Sequence, residues 1–116
     1  MLFSGNYSGD DGGGVAVTEL SRATIENANF ENNTVAQNGG GLYSNNVRST
    51  VPDDNKVVLT NSRIIRNEAT ESGGGFYQGI NGSAVVRESF FQGNEAAIDG
   101  GGIHVTGGAL TLENSQ

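Results

Sequence analysis

The chain has 116 residues, 19 of them glycine and none cysteine, and carries a net charge of −7 from 13 acidic and 6 basic side chains. That length allows one domain or part of one, and an acidic chain without a basic stripe is not built to neutralise a nucleic-acid backbone. The lack of cysteine excludes a disulfide framework and a thiolate metal site, and no apolar run approaches the roughly 18 residues of a membrane span.

In chain order, Met1-Leu2-Phe3 leads into SGNYSG rather than a signal-peptide core. From Phe3 runs the phrase FSGNYSGDDGGGV, which returns as FENNTVAQNGGGL from Phe30, IIRNEATESGGGF from Ile64 and FQGNEAAIDGGGI from Phe91. Each apolar residue is followed at a fixed distance by an asparagine (Asn6, Asn33, Asn67, Asn94) and then by a glycine triplet. The triplets are Gly12, Gly13 and Gly14; Gly39, Gly40 and Gly41; Gly73, Gly74 and Gly75; and Gly100, Gly101 and Gly102.

Between these phrases lies a second shared element, TIENANF at 24–30, VLTNSRI at 58–64, VVRESFF at 85–91 and TLENSQ at 111–116. It aligns Ile25, Leu59, Val86 and Leu112 in one column and Asn27, Asn61, Glu88 and Asn114 in the next. A third column holds Ala28, Ser62, Ser89 and Ser115. The asparagines of the first phrase recur after 27, 34 and 27 residues. The longer interval requires an insertion, supplied by VRSTVPDDN at 47–55, read as an outward loop around the only proline.

A unit of about 27 residues with three short apolar stretches of period two predicts three strands and three corners. Such a unit cannot bury a face alone, but stacked copies share one core. The expected fold is all-β, a parallel β-solenoid of about four rungs occupying residues 1–116 as a single segment.

The alternation of FxxN and GG-apolar phrases resembles the repeats of chlamydial polymorphic membrane proteins and related right-handed parallel β-helix surface proteins. The resemblance covers nearly the whole chain. Here the family's GGA[IL] reads GGGV, GGGL, GGGF and GGGI, and the third FxxN reads Ile64-Ile65-Arg66-Asn67. The resemblance implies an exported, adhesin-like, extracellular or cell-surface segment wound as a right-handed helix, a hand that parallel crossovers also favour.

In a solenoid, equivalent residues of successive rungs lie about 4.8 Å apart, so each column is a ladder. Asn6, Asn33, Asn67 and Asn94 are read as a structural amide ladder, asparagine also tolerating left-handed backbone. The glycines are read as corners where a side chain would obstruct a positive-φ turn or close approach between rungs. With Val15, Leu42, Phe76 and Ile103 facing inward, period two turns Ala16, Tyr43, Tyr77 and His104 outward. Tyr43, Tyr77 and His104 form a stripe able to stack on glycans or a protein partner, or simply on one another.

No catalytic set is expected. His104 is the only histidine, so a triad or multi-histidine site has no second member. The carboxylates Glu26 and Glu113 are two rungs apart, with Arg87 placed to pair with Glu113. Glu68 stacks over Glu95 and would hold calcium only with a further oxygen such as that of Asp99, so no metal or other cofactor is expected. A phosphate loop would need Lys and Ser or Thr after its glycines, where this chain has V, L, F and I.

Of three glycosylation sequons, at Asn6, Asn32 and Asn81, only Asn81 is expected to be free for modification. The expected partners are further rungs of the same protein or end-to-end copies, and surface glycans or proteins. A fragment of a polysaccharide-active β-helix enzyme, and a filament or surface-layer component built by end-to-end stacking, are the alternatives.

Overall fold

The computed structural model describes residues 2–18, 23–45, 56–79, 83–106 and 109–116. Among them there is no helix, and sixteen strands fall into four parallel sheets of four strands each. Sheet A contains β1 (Leu2–Ser4), β5 (Asn29–Glu31), β9 (Arg63–Ile65) and β13 (Phe90–Gln92). Sheet B contains β2 (Tyr7–Ser8), β6 (Thr34–Val35), β10 (Glu68–Ala69) and β14 (Glu95–Ala96). Sheet C contains β3 (Val15–Thr18), β7 (Leu42–Asn45), β11 (Phe76–Gln78) and β15 (Ile103–Val105). Sheet D contains β4 (Ala23–Glu26), β8 (Lys56–Thr60), β12 (Ser83–Arg87) and β16 (Ala109–Glu113). The chain passes from one sheet to the next and returns one strand further along, which is a parallel β-helix.

Each full coil has four strands, one more than the sequence predicts. The additional strand follows the ladder asparagine and is only two residues long, too short to leave a period-two pattern. The connections from D to A, A to B and B to C keep a constant length in every coil where they occur. Length varies only from C to D, where residues 19–22, 46–55, 79–82 and 106–108 intervene. The predicted loop at 47–55 falls within this set and lies outside the described residues, as does Asn81.

The core is made of columns that run along the helix axis. Phe3, Phe30, Ile64 and Phe91 are in register through sheet A, with the Phe3 and Phe30 rings stacked at 4.8 Å. Val15, Leu42, Phe76 and Ile103 are in register through sheet C, and Ile25, Leu59, Val86 and Leu112 through sheet D. Phe30, Leu42, Leu59, Ile64, Phe76 and Val86 are fully buried, each contributing about 1.5–3 kcal/mol of apolar transfer. Leu112 is 52% exposed although its column is buried in all three preceding coils, because no described coil packs on its far side.

The glycine triplets fill two distinct requirements. The first glycine of each has positive φ, 73° at Gly39, a conformation that costs glycine nothing. In the first three triplets the second and third pack against backbone. A Cβ on Gly40 would stand 2.5 Å from the Gly74 carbonyl and 2.7 Å from that of Glu68, so the triplet corner and sheet B approach each other too closely for any side chain.

Candidate functional site: side-chain ladders and the outer face of sheet C

Three polar columns link the coils. In the first, Asn6, Asn33 and Asn67 each donate from Nδ2 and from the backbone N–H to Oδ1 of the next asparagine, at 2.9–3.0 Å. Nδ2 of Asn33, Asn67 and Asn94 also donates to the carbonyls of Phe3, Phe30 and Ile64 in the preceding coil. Each internal amide thus meets its own kind on both sides and the backbone of the preceding coil as well. The left-handed backbone sits one residue earlier, at Gly5, Asn32, Arg66 and Gly93 with φ of 66°, 56°, 52° and 65°. The ladder asparagine is therefore selected for hydrogen bonding, and the turn is made by its neighbour.

The second column is a serine ladder. The backbone N–H groups of Ala28, Ser62 and Ser89 donate to the hydroxyls of Ser62, Ser89 and Ser115, each at 3.2 Å. Those hydroxyls in turn donate to the carbonyls of Thr60, Arg87 and Glu113 at 2.9 Å. The column was visible in the sequence, but its role needs the corner geometry that turns each hydroxyl along the axis.

The third column precedes the glycines. Asp11 Oδ1 accepts from the backbone N–H and Nδ2 of Asn38 at 3.0 and 3.1 Å, and Asn38 Oδ1 accepts from the N–H of Ser72 at 3.1 Å. This ladder runs opposite to the asparagine ladder, the later coil donating to the earlier one. Asp99 bridges Ser72 in the same column.

On the outer face of sheet C, Tyr43, Tyr77 and His104 are in register. Their rings stack with centroids 5.3 Å apart and planes within 7° and 15° of parallel. Tyr77 therefore turns both ring faces to its neighbours and presents its edge outward, where its hydroxyl oxygen accepts a hydrogen bond from Thr106 Oγ1 at 2.9 Å. Tyr43 is only 7% exposed. The surface open to a partner is thus formed by Tyr77 and His104 rather than by three rings, and it offers edges and polar atoms in place of a flat stacking platform.

The remaining charged groups are dispersed. Glu26, Thr60, Arg87 and Glu113 form one outward column of sheet D, and Arg87 Nε pairs with Glu113 Oε2 at 2.9 Å. Both side chains are half exposed, which limits the pair to under about 1 kcal/mol. Glu68 and Glu95 are adjacent in sheet B, and both are exposed. Among the described residues no three His, Asp or Glu side chains converge as metal ligands, so Glu68, Glu95 and Asp99 do not form one site. Among the sequon asparagines, Asn6 belongs to the amide ladder, and Asn32 Oδ1 accepts from Arg66 Nε.

The sequence pattern did not single out the polar pair inside sheet C. Ser44 and Gln78 are in register, face the core and are fully buried. Ser44 Oγ has no hydrogen-bond partner among the described residues. Period two places both inward, but their polarity hides them from a search for apolar positions.

Residues 27–45 and 88–106 match the family model for the Chlamydia polymorphic membrane protein repeat. These two segments, together about a third of the chain, are similar to that repeat. Each match opens on a left-handed corner residue, Asn27 or Glu88, and runs through one strand each of sheets A, B and C. The polymorphic membrane protein repeat is thus, in this chain, three quarters of a coil, and its fixed asparagine and glycine positions are the first ladder and the triplet corner. No curated protein and no solved structure gave a significant match.

Proposed function

We propose that the chain is a rigid, non-catalytic β-helix segment of an exported surface protein, and that it makes contact with a protein partner through Tyr77 and His104. The reading rests on the use made of polar side chains: three ladders spend them on coil-to-coil hydrogen bonds, which stiffens the stack. The family name of the matched repeat supports a membrane-associated, surface setting. Tyr77 and His104 add an exposed edge of aromatic and polar character, the composition enriched at recognition surfaces.

The test is binding of the labelled chain to cell surfaces, with Tyr77→Ala/His104→Ala alongside the unaltered chain. The double substitution is expected to reduce binding about tenfold; it also removes two ring stacks, so binding is compared well below its lowered unfolding midpoint. Equal binding by both proteins, or none by either, overturns the contact surface.

The exposed Leu112 side chain, in a column buried elsewhere, supports a second part of the proposal, that a further coil from this protein or from a second copy covers that face. Light scattering across a concentration series is expected to show association of the isolated chain, weakened by Leu112→Glu. A folded monomer at every concentration excludes a second copy.

A further inference from the structure

At the corner between sheets D and A, an open cavity of about 470 Å³ crosses three coils, a size typical of small-ligand sites. Its walls include Asn27 and Asn29 from one coil, Asn61 and Arg63 from the next, and Glu88 and Phe90 from the third. Asn29, Arg63 and Phe90 occupy one outward column, so an amide, a guanidinium and a ring succeed one another at steps of about 4.8 Å. Asn61 Nδ2 donates to Asn27 Oδ1 at 2.6 Å, which orients the amides along the groove.

Two charged groups in this groove form no ion pair among the described residues. Arg63 is exposed, and neither its guanidinium nor the Glu88 carboxylate belongs to the ion pair found among the described residues, Arg87 with Glu113. Glu88 also has an unfavourable backbone. Its φ is 50°, at a corner where the other three coils place Asn27, Asn61 and Asn114 with φ of 54°, 49° and 48°. Asparagine enters this left-handed region far more readily than glutamate, so the backbone alone argues against glutamate here. A locally disfavoured residue whose side chain lines a cavity points to a role for that side chain.

The wall chemistry identifies the class of ligand. A sugar hydroxyl both donates and accepts, and is matched where amides, a carboxylate acceptor and a guanidinium donor stand side by side. The Phe90 ring supplies apolar cover for the C–H face of a pyranose. The net charge of −7 and a carboxylate in the wall itself disfavour a polyanion. We propose that this groove binds a neutral oligosaccharide, with successive sugars lying against successive coils. The proposal is independent of the contact surface on sheet C.

The test is an NMR titration of the isotope-labelled chain with tetraoses of glucose, mannose and N-acetylglucosamine, and with tetragalacturonate. At least one neutral tetraose is expected to shift the amide signals of Asn29, Asn61, Arg63 and Glu88 while leaving those of Tyr77 and His104 in place. Arg63→Ala should weaken that binding about tenfold. Glu88→Asn should weaken it too, while raising the thermal unfolding midpoint, a combination that a purely structural corner would not give. The proposal is overturned if no neutral tetraose binds up to millimolar concentration, if tetragalacturonate binds more tightly, if the shifts centre elsewhere, or if both variants bind like the unaltered chain.

Discussion

Gly40→Ala is expected to destabilise the chain by about 3 kcal/mol, because the corner it occupies has no room for a methyl group. The added Cβ would meet the Gly74 carbonyl at 2.5 Å and the Glu68 carbonyl and amide nitrogen at 2.7 and 2.8 Å. All three are backbone atoms, and two are held in coil-to-coil hydrogen bonds, the Gly74 carbonyl accepting from Gly41 N–H and the Glu68 N–H donating to the Asn33 carbonyl. No side-chain rotation relieves the clash, so a corner and a sheet must separate. Gly102→Ala is the control: nothing lies within 4 Å of a Cβ there and its φ is not positive. Urea unfolding followed by circular dichroism should show a large fall in midpoint for Gly40→Ala and little change for Gly102→Ala. Equal midpoints for the two variants would show that the triplet is not closed by its neighbours.

Asn67→Ala is expected to cost about 2–5 kcal/mol. The Asn67 amide is buried, and its Oδ1 accepts from both the backbone N–H and Nδ2 of Asn33. Its Nδ2 donates to the Phe30 carbonyl and to Asn94 Oδ1. Alanine removes these partners at once and leaves the Asn33 groups without an acceptor in a site closed to water. A domain with a total stability of about 5–15 kcal/mol would lose a large part of it. Chemical denaturation at constant slope checks the value, and a loss under about 1 kcal/mol would mean that water replaces the amide. Asn94→Ala should cost less, since Asn94 is only partly buried.

The β-helix was legible because its repeat is written in residues that have no substitute. Phe30, Leu42 and Leu59 mark three inward columns by apolar character, and the glycine triplets mark the corner that has no room for a side chain. The fourth strand of each coil was not legible, because Glu68–Ala69 and its counterparts are too short to show alternation. The role of the residue before each ladder asparagine was also hidden: Gly5, Asn32, Arg66 and Gly93 share a backbone conformation and no side-chain chemistry. For the candidate surfaces, period two gave the outward direction of Tyr43 but could not give its burial, which depends on what lies over it. The groove between sheets D and A was missed because its walls come from two columns, and the sequence displays columns one at a time.

The fixed connections from D to A, A to B and B to C contrast with the variable one from C to D, which holds from three to ten residues between named strands. Each fixed connection contains members of a ladder or a glycine triplet, so an inserted residue there would displace one coil's hydrogen-bonding groups against the next. Among the described residues, no ladder or triplet falls within the C to D connection. This corner is therefore the permissive edge of the fold, where evolution can vary the length of the chain, and an engineer can graft a foreign epitope, while the stack keeps its pitch.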